Sequence, residues 1–216
     1  FRDQYTPSFV SALHGIFVLS EFHASQGLPE YSKSITHITP NALDEKYFVD
    51  GRNENHRFIY ASAPNRGLRE VLLAWPSIRE KIERATPGVE PRLEVYYGFS
   101  PSFLKYGKSQ MGEAFGPWLA EMKEMLRQDG VEYYGMVDHR TLAKAYARSG
   151  FYLYPTSFPE TGCVALMKAQ ALGAIPITSR NPNSTLPELT RRCDLGPPAR
   201  TDGVTIDRDP AWREAW

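Results

Sequence analysis

A stretch in the C-terminal third of the chain, residues 151–178, constrains the fold more than any other part of the sequence. Its first four residues are apolar or aromatic and favour a β-strand. Pro155 and Pro159 then bracket a turn, which is predicted to direct Glu160 outward. A run of good helix formers follows, and a second apolar strand comes after it. A strand, a turn, a helix and a strand in this order are typical of an α/β protein.

The start of the predicted helix is a possible anion-binding site. The helix spans residues 163–172, and Gly173 is a natural C-terminal stop. The preceding turn ends in Thr161 and Gly162, which leaves unpaired backbone N–H groups at the positive end of the helix dipole. Proteins often hold phosphate groups at such positions. Glu160, beside this site, could bind the hydroxyl groups of a sugar.

Strands and helices alternate three times between about residues 57 and 178. Residues 57–61, 93–97 and 131–137 are the first three predicted strands, and long connections with helical spacing of apolar residues follow them. This pattern predicts an α/β fold with a parallel sheet and helices on both of its faces. Ligands of such sheets bind at the C-terminal ends of the strands.

Several segments are predicted to be irregular or interrupted. Residues 51–56 are polar and predict a linker. Residues 99–112 are rich in Gly, Ser and Lys, and predict a loop longer than an α/β unit needs. Pro76 is predicted to kink or restart the helix after the first strand. Near the C-terminus, residues 203–206 predict an outer strand and residues 210–216 a helix.

Composition excludes several kinds of partner and site. The chain has 216 residues, enough for one domain with a sizeable core, and contains 25 basic and 25 acidic residues. No net basic field therefore favours nucleic acid. No apolar run approaches the roughly 20 residues of a membrane-spanning helix. The two cysteines, Cys163 and Cys193, form neither a disulfide framework nor a zinc motif, which favours a reducing compartment on the cytoplasmic side.

Seven residues of the central stretch follow a known pattern: Pro155, Thr156, Glu160, Ala169, Gly173, Pro176 and Ile177. The stretch resembles the donor-site signature of retaining glycosyltransferases of the GT-B fold, the family that includes sucrose synthase. Lys168 stands where that family has a second Glu. Eight residues after Glu160, it is predicted to lie about two helical turns from the phosphate end, unless a rotated helix turns it toward solvent. The resemblance implies a Rossmann-like half of the GT-B architecture and a nucleotide-diphosphate sugar as donor substrate, without a metal or another cofactor.

The resemblance extends less specifically over roughly residues 15–190 and assigns roles to side chains. Arg66 matches a basic residue that neutralises the donor diphosphate, with a solvated charge at a helix start as the alternative. Glu160 would orient the sugar, so Arg66 and Glu160 are the predicted catalytic residues. His139 is predicted to begin a helix, with stacking on the nucleotide base as the alternative. The predicted donor-binding residues are Arg66, Gly135, Met136, Val137, Glu160, Thr161, Gly162, Cys163, Val164 and Lys168.

The chain is too short for the two domains of a GT-B enzyme. It starts at Phe1 rather than at Met, so it is interpreted as part of a longer protein. Residues 1–50 are predicted to be a hinge and entry segment from a missing N-terminal acceptor domain, with a short strand at residues 15–20 leading into a helix. Residues 51–200 are the predicted nucleotide-sugar-binding domain, and residues 201–216 are the C-terminal tail.

The predicted function is that of a glycosyltransferase donor domain, with two alternatives. A catalytically inactive module that serves as a binding or scaffold domain is favoured by Lys168 and by Ala61, which stands where the family has an Arg. The intact Glu160 and Arg66 oppose that alternative. A Rossmann dehydrogenase is excluded because no Gly-x-Gly-x-x-Gly motif follows a strand.

Overall fold

The computed structural model describes residues 5–190 of the chain. The first part of this range contains short elements: α1 (Pro7–Ser11), β1 (Ile16–Val18), α2 (Glu21–Ser25), a 3₁₀ helix (Glu30–Ile35), β2 (Thr36–Ile38) and a second 3₁₀ helix (Glu45–Tyr47). β1 and β2 form a two-stranded parallel sheet. The Ser20 hydroxyl accepts a hydrogen bond from the backbone N–H of His23 and so caps α2. The predicted strand that leads into a helix is therefore present.

A five-stranded parallel sheet forms the centre of the molecule. Its strands are β3 (Glu54–Ala61), β4 (Arg92–Tyr96), β5 (Val131–Gly135), β6 (Ser149–Tyr154) and β7 (Ile175–Thr178). They lie in the order β5-β4-β3-β6-β7, and each adjacent pair is parallel. The order reverses between β3 and β6, which creates a crevice at the C-terminal ends of these two strands. The predicted Rossmann-like parallel sheet is confirmed.

Helices cover both faces of this sheet. They are α3 (Leu68–Ala85), α4 (Pro101–Met111), α5 (Phe115–Met125), α6 (His139–Arg148), α7 (Val164–Ala171) and α8 (Leu186–Thr190). α3 packs against α5, and α6 packs against α7. Because the connections between parallel strands are right-handed, the two pairs of helices lie on opposite faces. The longest helix, α3, buries one apolar stripe against the sheet: Leu68, Val71, Leu72 and Trp75.

The loop predicted for residues 99–112 is wrong, because most of this stretch is α4. The Ser100 hydroxyl accepts a hydrogen bond from Phe103 N–H, and Pro101 occupies the first turn of the helix. Gly107 suggests a loop by composition, but it lies against the ring of Phe115: an added Cβ would be 2.2 Å from a ring carbon. Close packing between helices therefore explains this glycine.

Pro76 does not restart α3, which is continuous from residue 68 to residue 85. A proline has no N–H for the carbonyl four residues earlier, here that of Leu72. The side-chain amide of Gln128 donates to this carbonyl at 3.1 Å instead. A tertiary hydrogen bond thus replaces the helical one, and the helix continues.

Two predicted boundaries also change. β3 begins at Glu54, so the second half of the predicted linker at residues 51–56 belongs to the sheet, where Glu54 pairs with Ser149 of β6. β5 ends at Gly135, two residues earlier than predicted. The predicted outer strand at residues 203–206 and helix at residues 210–216 lie outside the described residues. In the part of the chain that is described, none of the helices is long and apolar enough to span a bilayer.

A buried carboxylate in β4 was not anticipated from the sequence. Glu94 has no exposed surface, and Arg148 at the end of α6 binds both of its oxygens, at 2.9 and 2.6 Å. Arg57 of β3 donates to one oxygen at 3.1 Å, and the Tyr96 hydroxyl donates to the other at 2.8 Å. The ring of Tyr134 stacks on Tyr96. Charged and tyrosine side chains thus cover this part of the sheet.

Candidate functional site

Arg66 and Glu160 form an ion pair at the crevice between β3 and β6. Arg66 lies in the turn after β3, and Glu160 lies in the turn after β6. The guanidinium Nη1 is 2.8 Å from the carboxylate Oε1. Because the strand order reverses between these two strands, their C-terminal ends are where a Rossmann-like sheet binds ligands. The structure therefore brings the two predicted catalytic residues into direct contact.

Glu160 points into the protein, so the prediction that its turn directs it outward is wrong. The residue is only 8% exposed. Besides the bond from Arg66, its Oε1 accepts a short hydrogen bond from the hydroxyl of Tyr154. Burial, together with the negative charge of Glu160, raises the pKa of Tyr154, so this hydroxyl keeps its proton and acts as a donor. Two donors inside the crevice thus explain the inward orientation of Glu160.

Arg66 is half-buried and held on two sides. Its guanidinium lies 3.7 Å from the centroid of the Phe158 ring, a cation–π contact, and pairs with Glu160 on the other side. Burial opposes the charge, but Tyr154 and Glu160 outweigh it and raise the pKa of Arg66. The group is therefore always cationic. Because a guanidinium has five N–H donors, it can bind Glu160 and an anion together.

The start of α7 presents free backbone donors next to this pair. α7 begins at Val164, and Cys163 occupies its N-cap position without a capping hydrogen bond from its side chain. Among residues 5–190, the N–H groups of residues 161–164 have no protein acceptor. Together with the helix dipole they can bind an anion. Burial, followed by the charge of Glu160, raises the pKa of Cys163 to about 12, so the residue is a neutral thiol and not a nucleophile.

The helix α7 is present as predicted, and one face of it is buried. Cys163, Leu166 and Ala169 pack into the core, whereas Val164 is 37% exposed. Exposure of Val164 leaves the first turn of α7 accessible from the crevice. The predicted group of Thr161, Gly162, Cys163 and Val164 therefore lies together at one helix end.

Lys168 is closer to the helix start than predicted. Residues 160–163 are not helical, so Lys168 lies about one turn into α7 rather than two. Its Nζ is 3.4 Å from Nδ1 of His139 and 5.1 Å from the centroid of the Tyr47 ring. The Tyr47 and His139 rings also touch, with centroids 5.1 Å apart. Lys168 thus faces two aromatic rings beside a small, mainly apolar cavity, whose lining includes Leu43, Phe48, Leu142, Ala143 and Leu172.

The third predicted segment lies farther from the ion pair. Gly135 is the last residue of β5, the edge strand, and Met136 and Val137 follow it. Met136 is 67% exposed. In the described range, the side-chain hydrogen bonds and ring contacts of Arg66 and Glu160 involve Tyr154, Phe158 and each other, and none of the three residues of this segment. The segment leads directly into α6, whose first residue, His139, touches Lys168. We therefore divide the predicted donor-binding residues into two groups. The first group contains Arg66, Glu160 and residues 161–164. The second group contains Gly135, Met136, Val137 and Lys168.

Tyr154, Phe158 and Tyr47 contact predicted site residues but were not predicted themselves. A signal existed for Tyr154, because a tyrosine at the end of a buried strand usually needs a partner for its hydroxyl. Nothing in the sequence singled out Phe158 or Tyr47, because isolated aromatic residues in turns are common. Ala61, where a second basic residue was expected, is buried at the end of β3 and has no charge to offer.

Comparisons with known proteins identify relatives by structure alone. No protein-family model matches the sequence. No curated protein matches it either. Solved structures do match. Sucrose-phosphate synthase from Thermosynechococcus elongatus superposes with a TM-score of 0.62 and 18% identity, over 96% of this chain and 54% of that one.

Two further structures agree with this match. Alr3699/HepE from Anabaena, determined in complex with UDP and glucose, has a TM-score of 0.60 and 11% identity, over 100% of this chain and 61% of its own. A glycosyltransferase from Rickettsia africae has a TM-score of 0.62 and 12% identity, over 92% of this chain and 52% of its own. The chain thus spans little more than half the length of these structures, and it has the Rossmann-like α/β fold of the GT-B glycosyltransferases.

Proposed function

We propose that this chain is the donor half of a glycosyltransferase and binds a nucleotide-diphosphate sugar for transfer to an acceptor. The observation that supports this most strongly is the Arg66–Glu160 pair beside the free N–H groups of residues 161–164. A cation and a helix N-terminus suit a diphosphate, and a carboxylate suits sugar hydroxyls. One crevice therefore contains groups for both parts of such a donor.

In this proposal, the diphosphate is the leaving group and lies between Arg66 and the start of α7. Its negative charge increases as the bond to the sugar breaks, so fixed donors stabilise the transition state more than the ground state. Glu160, held by Tyr154, accepts hydrogen bonds from the sugar hydroxyls and orients the ring. The solved structure of Alr3699/HepE in complex with UDP and glucose is consistent with this assignment.

We assign the nucleoside to the second group of residues. Gly135, Met136 and Val137 would approach the base through their backbone groups. Lys168 would face the ribose, where it can donate hydrogen bonds but cannot accept any. Recognition of an ordinary ribose is therefore expected to differ from that by a carboxylate at this position.

We also propose that residues 1–50 connect to an acceptor domain, with residues 51–200 as the donor domain and residues 201–216 as a tail. Two strands alone make a marginal sheet, so β1 and β2 are expected to extend a larger one. Five large apolar side chains in the described part of this segment are solvent-exposed: Phe9, Phe17, Tyr31, Ile38 and Phe48. The match to about half of the solved chains supports the same division.

A second candidate function is a catalytically inactive module that keeps the fold for binding or scaffolding. Lys168 and the buried Ala61 favour it, since both remove a contact that the resembled family makes. Binding of a nucleotide does not separate the two candidates, because an inactive module could retain it. Turnover by the complete protein separates the two candidate functions.

The test is calorimetric titration of the chain with UDP, GDP and ADP, followed by UDP-glucose and other sugars on the nucleotide that binds. The proposal expects one nucleoside diphosphate to bind and the Arg66→Ala variant to bind it more weakly. If none of the three nucleotides binds, the donor-domain proposal fails. Glycosyl transfer by the complete protein, and none by residues 1–216 alone, would then decide against the inactive module.

A further inference from the structure

Three consecutive carbonyl groups before α7 are each held by a different segment of the chain. The carbonyl of Glu160 accepts a hydrogen bond from the backbone N–H of Thr185 at 2.8 Å. That of Thr161 accepts from the Ser20 hydroxyl at 2.8 Å. That of Gly162 accepts from the side-chain amide of Asn41 at 3.0 Å. The turn is thus fixed from outside, one peptide group at a time.

Fixing a carbonyl also fixes the next N–H group. In a trans peptide the C=O of one residue and the N–H of the following residue point in opposite directions within one plane. The bonds from Ser20 and Asn41 therefore set the directions of the Gly162 and Cys163 N–H groups, which point away from residues 20 and 41. These two N–H groups have no protein acceptor among residues 5–190.

Ser20 is itself held firmly. Its hydroxyl donates to Thr161 and accepts from His23 N–H at 2.9 Å, which caps α2. The Glu188 carboxylate accepts from the next two backbone N–H groups of α2, those of Glu21 at 3.0 Å and Phe22 at 2.7 Å. α8 therefore fixes the start of α2, and the start of α2 fixes the turn.

Asn41 and Leu19 lie so close to Gly162 that a side chain at this position would require one of them to move. A Cβ on Gly162 would lie 2.8 Å from Nδ2 of Asn41 and 2.9 Å from a methyl carbon of Leu19. Gly162 is therefore in close contact with both Asn41 and Leu19. Residues of the entry segment and of the predicted phosphate turn are packed as one unit.

We propose that Ser20 and Asn41 are positioning residues, which aim the N–H groups of Gly162 and Cys163 at a phosphate. This inference rests on the proposed function for its ligand, but the orientation of the N–H groups can be tested without one. Neither residue touches the phosphate in this scheme. Each acts through the peptide group whose carbonyl it holds.

The deciding variant is Asn41→Ala, which removes the donor to Gly162 without adding charge. Asn55→Ala is the matched control, since Asn55 is exposed at the other end of β3. Ser20→Ala removes the hydrogen bond to the Thr161 carbonyl. Ser20→Thr keeps a hydroxyl at this position and should retain that bond. Residual dipolar couplings of ¹⁵N-labelled Gly and Cys residues report the N–H directions, and titrations with UDP and with uridine report the phosphate-dependent part of binding.

We expect Asn41→Ala to change the couplings of Gly162 and Cys163 and to weaken UDP binding about five- to tenfold, the size of one hydrogen bond. The affinity of Asn41→Ala for uridine should equal that of the wild type. The Asn55→Ala and Ser20→Thr variants should bind UDP as the wild type does. Unchanged couplings, or an equal loss for uridine and UDP, would overturn the positioning role. If the wild-type chain binds no nucleoside diphosphate, the proposed function fails. The couplings then still decide whether Asn41 orients the turn.

Discussion

Arg66 and Glu160 are 94 positions apart in the sequence, yet they share a hydrogen bond of 2.8 Å at the point where the strand order reverses. Neither side chain can therefore be changed without affecting the other. A phosphate that binds Arg66 meets a guanidinium already oriented by Glu160 and Phe158. Substitutions at the two residues should separate the binding of the diphosphate from the binding of the sugar.

Glu160→Gln should weaken the binding of a nucleotide sugar by about 1–3 kcal/mol, because a charged acceptor for sugar hydroxyls becomes neutral. Binding of the free nucleoside diphosphate should change little, since Arg66 loses an orienting partner but also a competing negative charge. Calorimetry with both ligands measures the difference. An equal loss for the two would show that Glu160 does not contact the sugar.

Arg66→Ala should weaken the binding of both the nucleoside diphosphate and the nucleotide sugar. The expected loss is about 1.5–3 kcal/mol, the size of one charge-assisted hydrogen bond. The remaining affinity should depend less on salt. Arg84→Ala is the control, because Arg84 lies in the last turn of α3, far from the crevice, and pairs with Glu80 on the surface. If both variants bind like the wild type, Arg66 is only a structural partner of Glu160.

Lys168→Glu should tighten the binding of an ordinary nucleotide sugar, because a carboxylate can accept hydrogen bonds from a ribose and an ammonium cannot. Lys144→Glu, an exposed change of the same charge on α6, is the control. Titration of both variants with the same donor gives the comparison. Loss of binding in Lys168→Glu alone would instead identify Lys168 as an adapted ligand contact, and would remove the best support for an inactive module.

Glu94→Gln should lower the free energy of unfolding by about 3 kcal/mol, since it leaves Arg148 and Arg57 without their common carboxylate in a buried site. Glu80→Gln, in an exposed pair with Arg84, should cost less than about 1 kcal/mol. Urea unfolding of the two variants measures both values. A similarly small effect of Glu94→Gln would mean that a neutral amide satisfies the two arginines as well as the carboxylate does.

Regular repetition made much of the fold predictable. Apolar strands and helical spacing are local signals, and they located β3 to β7, α3, α5 and α7 within a few residues. The signature around Glu160 also indicated which strand ends form the site. The strand and helix signals depend on neighbours in sequence, so a single chain is enough to find them.

What failed depends on contacts between distant residues. Gly107 suggested a loop because its packing partner, Phe115, lies on another helix. Glu94 suggested an ordinary strand position, since its partner Arg148 is 54 residues away. Glu160 was predicted to face outward because its turn says nothing of Arg66 or Tyr154. The domain limits and the site roles remain predictions.

The carbonyl contacts before α7 also bear on the order in which the molecule folds. The bond between Ser20 and Thr161 closes a separation of 141 residues, and that between Asn41 and Gly162 closes 121. Contacts this distant in sequence cost more chain entropy and form more slowly than local ones. We therefore expect the strands to pair before the turn reaches its final shape, so that the N-terminal end of α7, the proposed phosphate site, matures in one of the last steps of folding.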